Sequence, residues 1–289
     1  MTTVRLLTLL LVGLMIPGCG VPWDEWRGNI HYSESTLTGG TGREQKLSAQ
    51  VSMQVGELTI EPGPSDLAFE ARFHYNDMAL EPRADFETDE SGAARLSVSL
   101  EGEAHSFHSW GKNSIHLRLN PRVPLKLRTE TGVGEATIDL TGMRVESVRL
   151  QSGVGKTSLV VLEPNPVTCE FIEIDGGVGA LEVTGLGNLN FREFRLRGGV
   201  GGSRMDFSGS WPVLGKVTVE VGVGGVDLLV PRDLPVVIEA EGNMFSNVSV
   251  PDAFSRRGNR YTSPSAENSS SFLEVRIAAG IGGANVRWR

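Results

Sequence analysis

The sequence predicts an all-β fold: a stacked, β-helix-like β-solenoid with coils of about 22 residues and Gly-Val-Gly corners, preceded by a strand-rich N-terminal part. Three observations carry this. First, 36 of the 289 residues are glycine. They recur as Gly132-Val133-Gly134, Gly153-Val154-Gly155, Gly177-Val178-Gly179, Gly199-Val200-Gly201, Gly222-Val223-Gly224 and Gly280-Ile281-Gly282. The central residues of the first five lie 21, 24, 22 and 23 positions apart, and such a period marks supersecondary units stacked on one another. Second, the flanks of each corner alternate with period 2. Six residues before the centre stand Leu127, Val148, Ile172, Phe194, Val217 and Val275; five after it stand Ile138, Leu159, Val183, Met205, Leu228 and Val286. This is the spacing of strands, so each unit reads as strand, corner, strand. Third, Arg149, Glu173 and Arg195 share one outward position and Asp175, Arg197 and Glu220 another. Stacked in register, they would form ladders of alternating charge.

Taken in order, residues 1–18 read as a secretory signal peptide, with Arg5 ahead of the apolar run Leu6–Ile16. That run is too short to cross a membrane as a helix, which takes about 20 residues. Ile16-Pro17-Gly18-Cys19 resembles the lipobox of bacterial lipoproteins. The resemblance implies cleavage before Cys19, lipid attachment to its thiol, and a protein held in the cell envelope by its acyl chains. More than one chain is needed for stable anchoring, as in a diacylated or triacylated cysteine. Gly20 stands where an Asp is absent, which resembles outer-membrane lipoproteins if the source is Gram-negative.

Residues 19–43 read as the lipidated cysteine and a flexible tether. Residues 44–125 form the strand-rich N-terminal domain, in which Gln54–Ile60 looks like an early copy of the corner. Leu67–Tyr75, Arg83–Glu87, Ala94–Glu101 and Ser114–Asn120 read as strands joined by Asn76-Asp77 and Ser91-Gly92 turns. Residues 126–289 are the repeat domain. One repeat is degenerate, with Met244-Phe245 at the corner. Polar residues 251–271 read as a long surface loop between the last two coils, and Phe272–Ala278 and Ala284–Trp288 close the stack.

The net charge of −8 argues against nucleic acid and against direct adsorption to anionic lipid. Cys169 is the one cysteine besides Cys19, so the mature chain has no intramolecular disulfide. It sits in an alternating apolar run and reads as a small buried hydrophobe, with no His after His116 to activate it.

Four motifs suggest chemistry that their context denies. Ser152–Ser158 resembles a phosphate-binding loop, but Leu150 stands where that motif needs glycine, and the segment should lead into a strand. Gly176–Val183 resembles a calcium-binding nonapeptide turn, with Leu181 in place of the ligand Asp. His105 and His108, beside Trp110, would point to opposite sides of a strand, with no third ligand fixed beside them. Asp139 and Asp206 share a register position but lie three coils apart, some 14 Å, and Asp227 falls at a different position; acid catalysis on glycans needs two carboxylates closer than that. No catalytic residue, metal ligand or cofactor site is assigned.

The glycine repeats, closing with Ala279–Val286, look like the toast-rack / LiaF-like C-terminal and putative-adhesin (DUF4097-like) group. Val55–Ile60, Phe69–Asn76 and Leu80-Glu81-Pro82 are similar to the N-terminal toast-rack domain. The resemblance implies a stacked all-β architecture in a bacterial envelope protein, with relatives that sense envelope stress through protein partners, and it supplies no catalytic residues. LiaF-type relatives carry transmembrane helices, whereas this chain has a lipobox. The expectation is a non-enzymatic, lipid-anchored scaffold or sensor that binds an envelope protein or glycan. The alternative is an envelope or extracellular protein that binds or cleaves polysaccharide. Segments 105–110 and 251–271 break the regularity and are the expected contact surfaces.

Overall fold

The computed structural model describes residues 31–102, 113–212, 214–242 and 246–289. Cys19, the His105–Trp110 segment and the Met244-Phe245 corner lie outside the described residues. The N-terminal strands are β1 (Tyr32–Gly39), β2 (Lys46–Pro62), β3 (Phe69–Asn76), β4 (Leu80–Thr88), β5 (Ala93–Gly102) and β6 (Ser114–Leu119). The repeats follow as β7 (Leu125–Asp139), β8 (Val145–Val160), β9 (Cys169–Thr184), β10 (Phe191–Val200), β11 (Ser203–Asp206) and β12 (Lys216–Val230). The chain ends with β13 (Val236–Gly242), β14 (Ser246–Ser249), β15 (Ser255–Arg257), β16 (Arg260–Thr262), a four-residue helix α1 (Pro264–Glu267) and β17 (Leu273–Trp288).

The repeats stack in parallel and in register. Leu127 pairs with Val148, Val148 with Ile172, Ile172 with Phe194, Phe194 with Val217, and Val217 with Val275. Every member of this column is at most 2% exposed, and every member of the column running from Ile138 to Val286 at most 3%. Together with β2, β3, β5 and β6 they form one continuous apolar core. Burying such columns is the main stabilising term of a stack whose single coils have no core of their own.

Most corners are not breaks between two strands. β7, β8, β9, β12 and β17 each run unbroken through their glycines, and only the β10/β11 unit is interrupted. The second glycine makes this bend possible. Gly134 has φ +141° and Gly155 φ +140°, a region that residues with a Cβ rarely enter. The strand turns there and keeps its ladder.

Buried asparagines brace the side of the stack away from the corners. Asn165 accepts a bond from Val145 N at 3.0 Å and donates to Val145 O at 2.8 Å and to Leu189 O at 3.0 Å. One amide thereby ties three successive coils and satisfies backbone groups that burial would otherwise leave unpaired.

At both ends the spatial order departs from chain order. β2 lies between β7 on one side and the pair β5/β6 on the other. β17 lies between β12 on one side and β13/β14 on the other. The final strand therefore stacks on the fifth corner repeat, and the degenerate coil is pushed outermost. The segment 251–271, expected as a surface loop, forms instead a β15–β16 hairpin and α1. Phe254, Tyr261, Ser263 and Ala266 are buried in it, and β16 pairs antiparallel with β13. It covers the edge of the outermost coil on that face, which an open sheet would leave unpaired. The expected tether also contains structure: β1 pairs along its whole length with β3. β2 and β7 pair from Leu47–Leu125 to Ile60–Ile138, across positions 125 and 126, while the β7–β8 pairing shifts register between Leu125 and Lys126.

Candidate functional site

The bend at each glycine corner turns the central residue outward. Val55, Val133, Val154, Val178, Val200, Val223 and Ile281 pair one above another and form an aliphatic edge along the stack. The last six are between 40% and 57% exposed. Among the described residues only eight large apolar side chains are exposed, and these are six of them; Met78 and Leu162 are the others. Scattered exposed apolar residues are ordinary, but a single unbroken row is not. Glycine on both sides of each rung from Val133 to Ile281 leaves the row raised above its surroundings.

The edge separates two faces. On the face formed by the halves of β7–β10, β12 and β17 that precede the corner, charges pair across coils. Arg149 Nε lies 2.7 Å from Glu173 Oε2, Arg195 Nη1 lies 3.4 Å from Glu173 Oε1, and Arg197 Nη1 lies 3.0 Å from Asp175 Oδ1. The hydrogen bond from Arg149 holds the Glu173 carboxyl below its ordinary range, with charge attraction from Arg149, Arg195 and Arg197 adding to it. Glu220 pairs in register with Arg197, but no ion pair joins them. The first ladder is therefore complete and the second half complete.

The twelve repeat glycines share one environment. A Cβ on Gly153, Gly177 or Gly199 would meet the carbonyl oxygen of Gly132, Gly153 or Gly177 at 2.3–2.4 Å. The same holds at Gly132 against Gln54, at Gly222 against Gly199 and at Gly280 against Gly222, at 2.3–2.8 Å. At the second glycines Gly134, Gly155, Gly179, Gly201, Gly224 and Gly282 the approach is closer, at 1.7–1.9 Å. Behind the corner the inward positions Gly176 and Gly198 carry no side chain and border a cavity of about 30 Å³.

Cys169 is fully buried, and burial pushes its thiol up to about 12. It is neutral near pH 7 and unsuited to attack. Gly155 and Lys156, from the phosphate-loop look-alike, lie within β8, and Lys156 pairs with Glu182 at 3.0 Å. Asp139 accepts a bond from Thr141 N, Asp206 accepts one from Ser208 N and faces Arg289 at 3.3 Å, and Asp227 binds Asn285. Each serves a turn or the surface. Among the described residues no three His, Cys, Asp or Glu side chains converge as a metal site, and no helix is long and apolar enough to cross a membrane.

The raised edge escaped the sequence reading because alternation gives two answers there. Counted forward from Leu127 and Thr129, Val133 points inward; counted back from Ile138 and Ala136, it points outward. The parity change falls on the glycines, and the recurrence of Val or Ile between them was its one visible sign.

Stack, bends and aliphatic edge define an all-β repeat protein of the solenoid class. The family model described as the N-terminal domain of toast_rack (DUF2154) matches residues 27–184, more than half of the chain, and the chain belongs to the toast-rack family. Among solved structures it is similar to a putative cell adhesion protein from Clostridium sporogenes. The identity is 20% and the TM-score 0.52, over 90% of this chain and 100% of that one. A putative adhesin from Bacteroides fragilis matches at 12% identity with a TM-score of 0.38, over 89% of this chain and 97% of that one. The first of these shares the fold. No curated protein matches the chain.

Proposed function

We propose that this chain is a non-enzymatic, lipid-anchored protein of the bacterial cell envelope, a scaffold or sensor that binds an envelope protein along its aliphatic edge. The observation that carries the reading is the row from Val133 to Ile281, which holds six of the eight exposed large apolar side chains among the described residues. Such a row offers a partner apolar area on a rigid support, so that little order has to be imposed on binding. The lipobox at Cys19 supports the envelope setting, as does the adhesion role named for the Clostridium sporogenes protein. A part in envelope-stress sensing rests on the family resemblance.

The test is in-cell cross-linking of the full lipoprotein, with a photoreactive residue next to the edge and capture read by mass spectrometry. The reading expects one or a few defined proteins, lost in Cys19→Ala and lost again in a Val178→Ser, Val200→Ser double variant. Unchanged capture in the double variant, or capture of bulk envelope material alone, overturns it.

A further inference from the structure

On the charged face most of the long charged side chains are paired, but one region differs. Adjacent strands β5 and β2 present Ser97, Ser99, Ser48, Gln50 and Ser52 there, all short or uncharged. The flanking strands β4 and β7 present Asp85 and Glu87 on one side and Lys126 and Arg128 on the other. The result is a trough of about 560 Å³. It runs from β4 across β5, β2 and β7 to Ser147, Arg149 and Phe171 on β8 and β9, about five strand spacings or ~24 Å.

Two rows cross it in register. One runs Glu87, Arg95, Ser48, Lys126; the other runs Asp85, Ser97, Gln50, Arg128. Arg83 is held by Glu81 and Glu101, and Arg128 by Glu130. Asp85, Glu87 and Arg95 are exposed and, among the described residues, have no ion pair or side-chain hydrogen bond, although Glu87 and Arg95 are cross-strand partners. Among the same residues the hydroxyls of Ser48 and Ser97 and the Gln50 amide are likewise unengaged. Carboxylate acceptors, a guanidinium, hydroxyls and an amide thus point into one solvent-open channel without partners.

We propose that this trough is a binding site for an uncharged oligosaccharide. Sugar hydroxyls donate and accept, so they can satisfy Asp85 or Glu87 and Arg95 at the same time. Lys126, Arg128 and Arg149 are each taken up by a glutamate, so the charges left free are two carboxylates and one guanidinium, a set that disfavours a polyanion. An extended peptide would find no backbone to pair with, because the floor strands already bond to neighbours on both sides. The trough lies on the face, away from the aliphatic edge, so the two surfaces are separable by mutation.

The test is calorimetric titration of the full chain, in a zwitterionic detergent free of sugar, with an N-acetylglucosamine trimer, maltotriose and a galacturonic acid trimer. The site expects saturable binding of at least one neutral trimer, with Asp85→Ala and Arg95→Ala each weakening it about tenfold or more. Gln50→Ala serves as a milder probe, and Glu193→Ala, farther along the same face, as a control that leaves affinity unchanged. No heat from either neutral trimer up to about 10 mM overturns the proposal. So does tighter binding of the acidic trimer, or affinity indifferent to both the Asp85 and Arg95 changes.

Discussion

The carbonyl oxygen of Gly134 stands 1.7 Å from where a Cβ on Gly155 would lie. No rotamer relieves that overlap, because both atoms belong to backbones fixed by the ladder, and the φ of +140° at Gly155 adds strain of its own. Gly155→Ala should therefore cost about 3 kcal/mol or more, or prevent folding. Gly176 supplies the contrast, since a Cβ there meets nothing within 4 Å and faces the cavity behind the corner. Gly176→Ala should be neutral or add up to about 1 kcal/mol, by restricting the unfolded chain. Chemical denaturation of both variants checks the pair, and equal destabilisation would show that the two positions do not differ as described.

Glu173 sits between Arg149 and Arg195, and its folded-state pKa lies below its unfolded value. A depressed carboxylate contributes stability that is fully present above about pH 4.5 and fades as pH falls through the folded-state value. Glu173→Gln should cost a few tenths to about 1 kcal/mol at pH 7, because the pair is partly exposed. The penalty should shrink toward zero as pH falls below the folded-state value, where the wild-type group is protonated too. Denaturation midpoints of the two proteins at pH 7 and down through the acid range decide this. A penalty unchanged by pH would mean that the charge contributes nothing and the side chain acts by packing alone.

How far the sequence reveals the structure depends on whether a feature repeats. The column Leu127–Val275 and the ladder Arg149–Glu173–Arg195 were legible because a fixed period samples each position several times, so chance alternation cancels. Asn165 was not legible. It ties Val145 to Leu189 from a turn whose length varies between repeats, and one polar residue beside two prolines reads as an exposed loop. The aliphatic edge was hidden by the parity change at the glycines, and the trough by register. Ser97 and Ser48 become neighbours of Asp85 and Lys126 only once β4–β5–β2–β7 is known to be the strand order. Short serines in alternating strands carry no signal by themselves.

The insertion of β17 between β12 and β13/β14 leads to a last expectation about the end of the chain. In a solenoid stacked in chain order, removing the final coil exposes one new edge and leaves the rest standing, because each repeat contacts its neighbours only. Here β17 is an interior rung. It brings Leu273, Val275, Ile277, Ala284 and Val286 into the core and pairs on both sides. Deleting residues 273–289 would empty a slot, leaving β12 and β13 facing each other across two unpaired edges and stripping Phe254 of its stacking partner Trp288. The truncated chain should lose protection well beyond the deleted strand, through β13, the β15–β16 hairpin and α1 into β12, while β7 to β9 keep theirs. Amide hydrogen exchange read by mass spectrometry on the full and truncated chains shows this directly. Protection retained in β13 and the hairpin would mean that β13/β14 can close onto β12 without β17, and that the order of strands at this end is one of two accessible stackings.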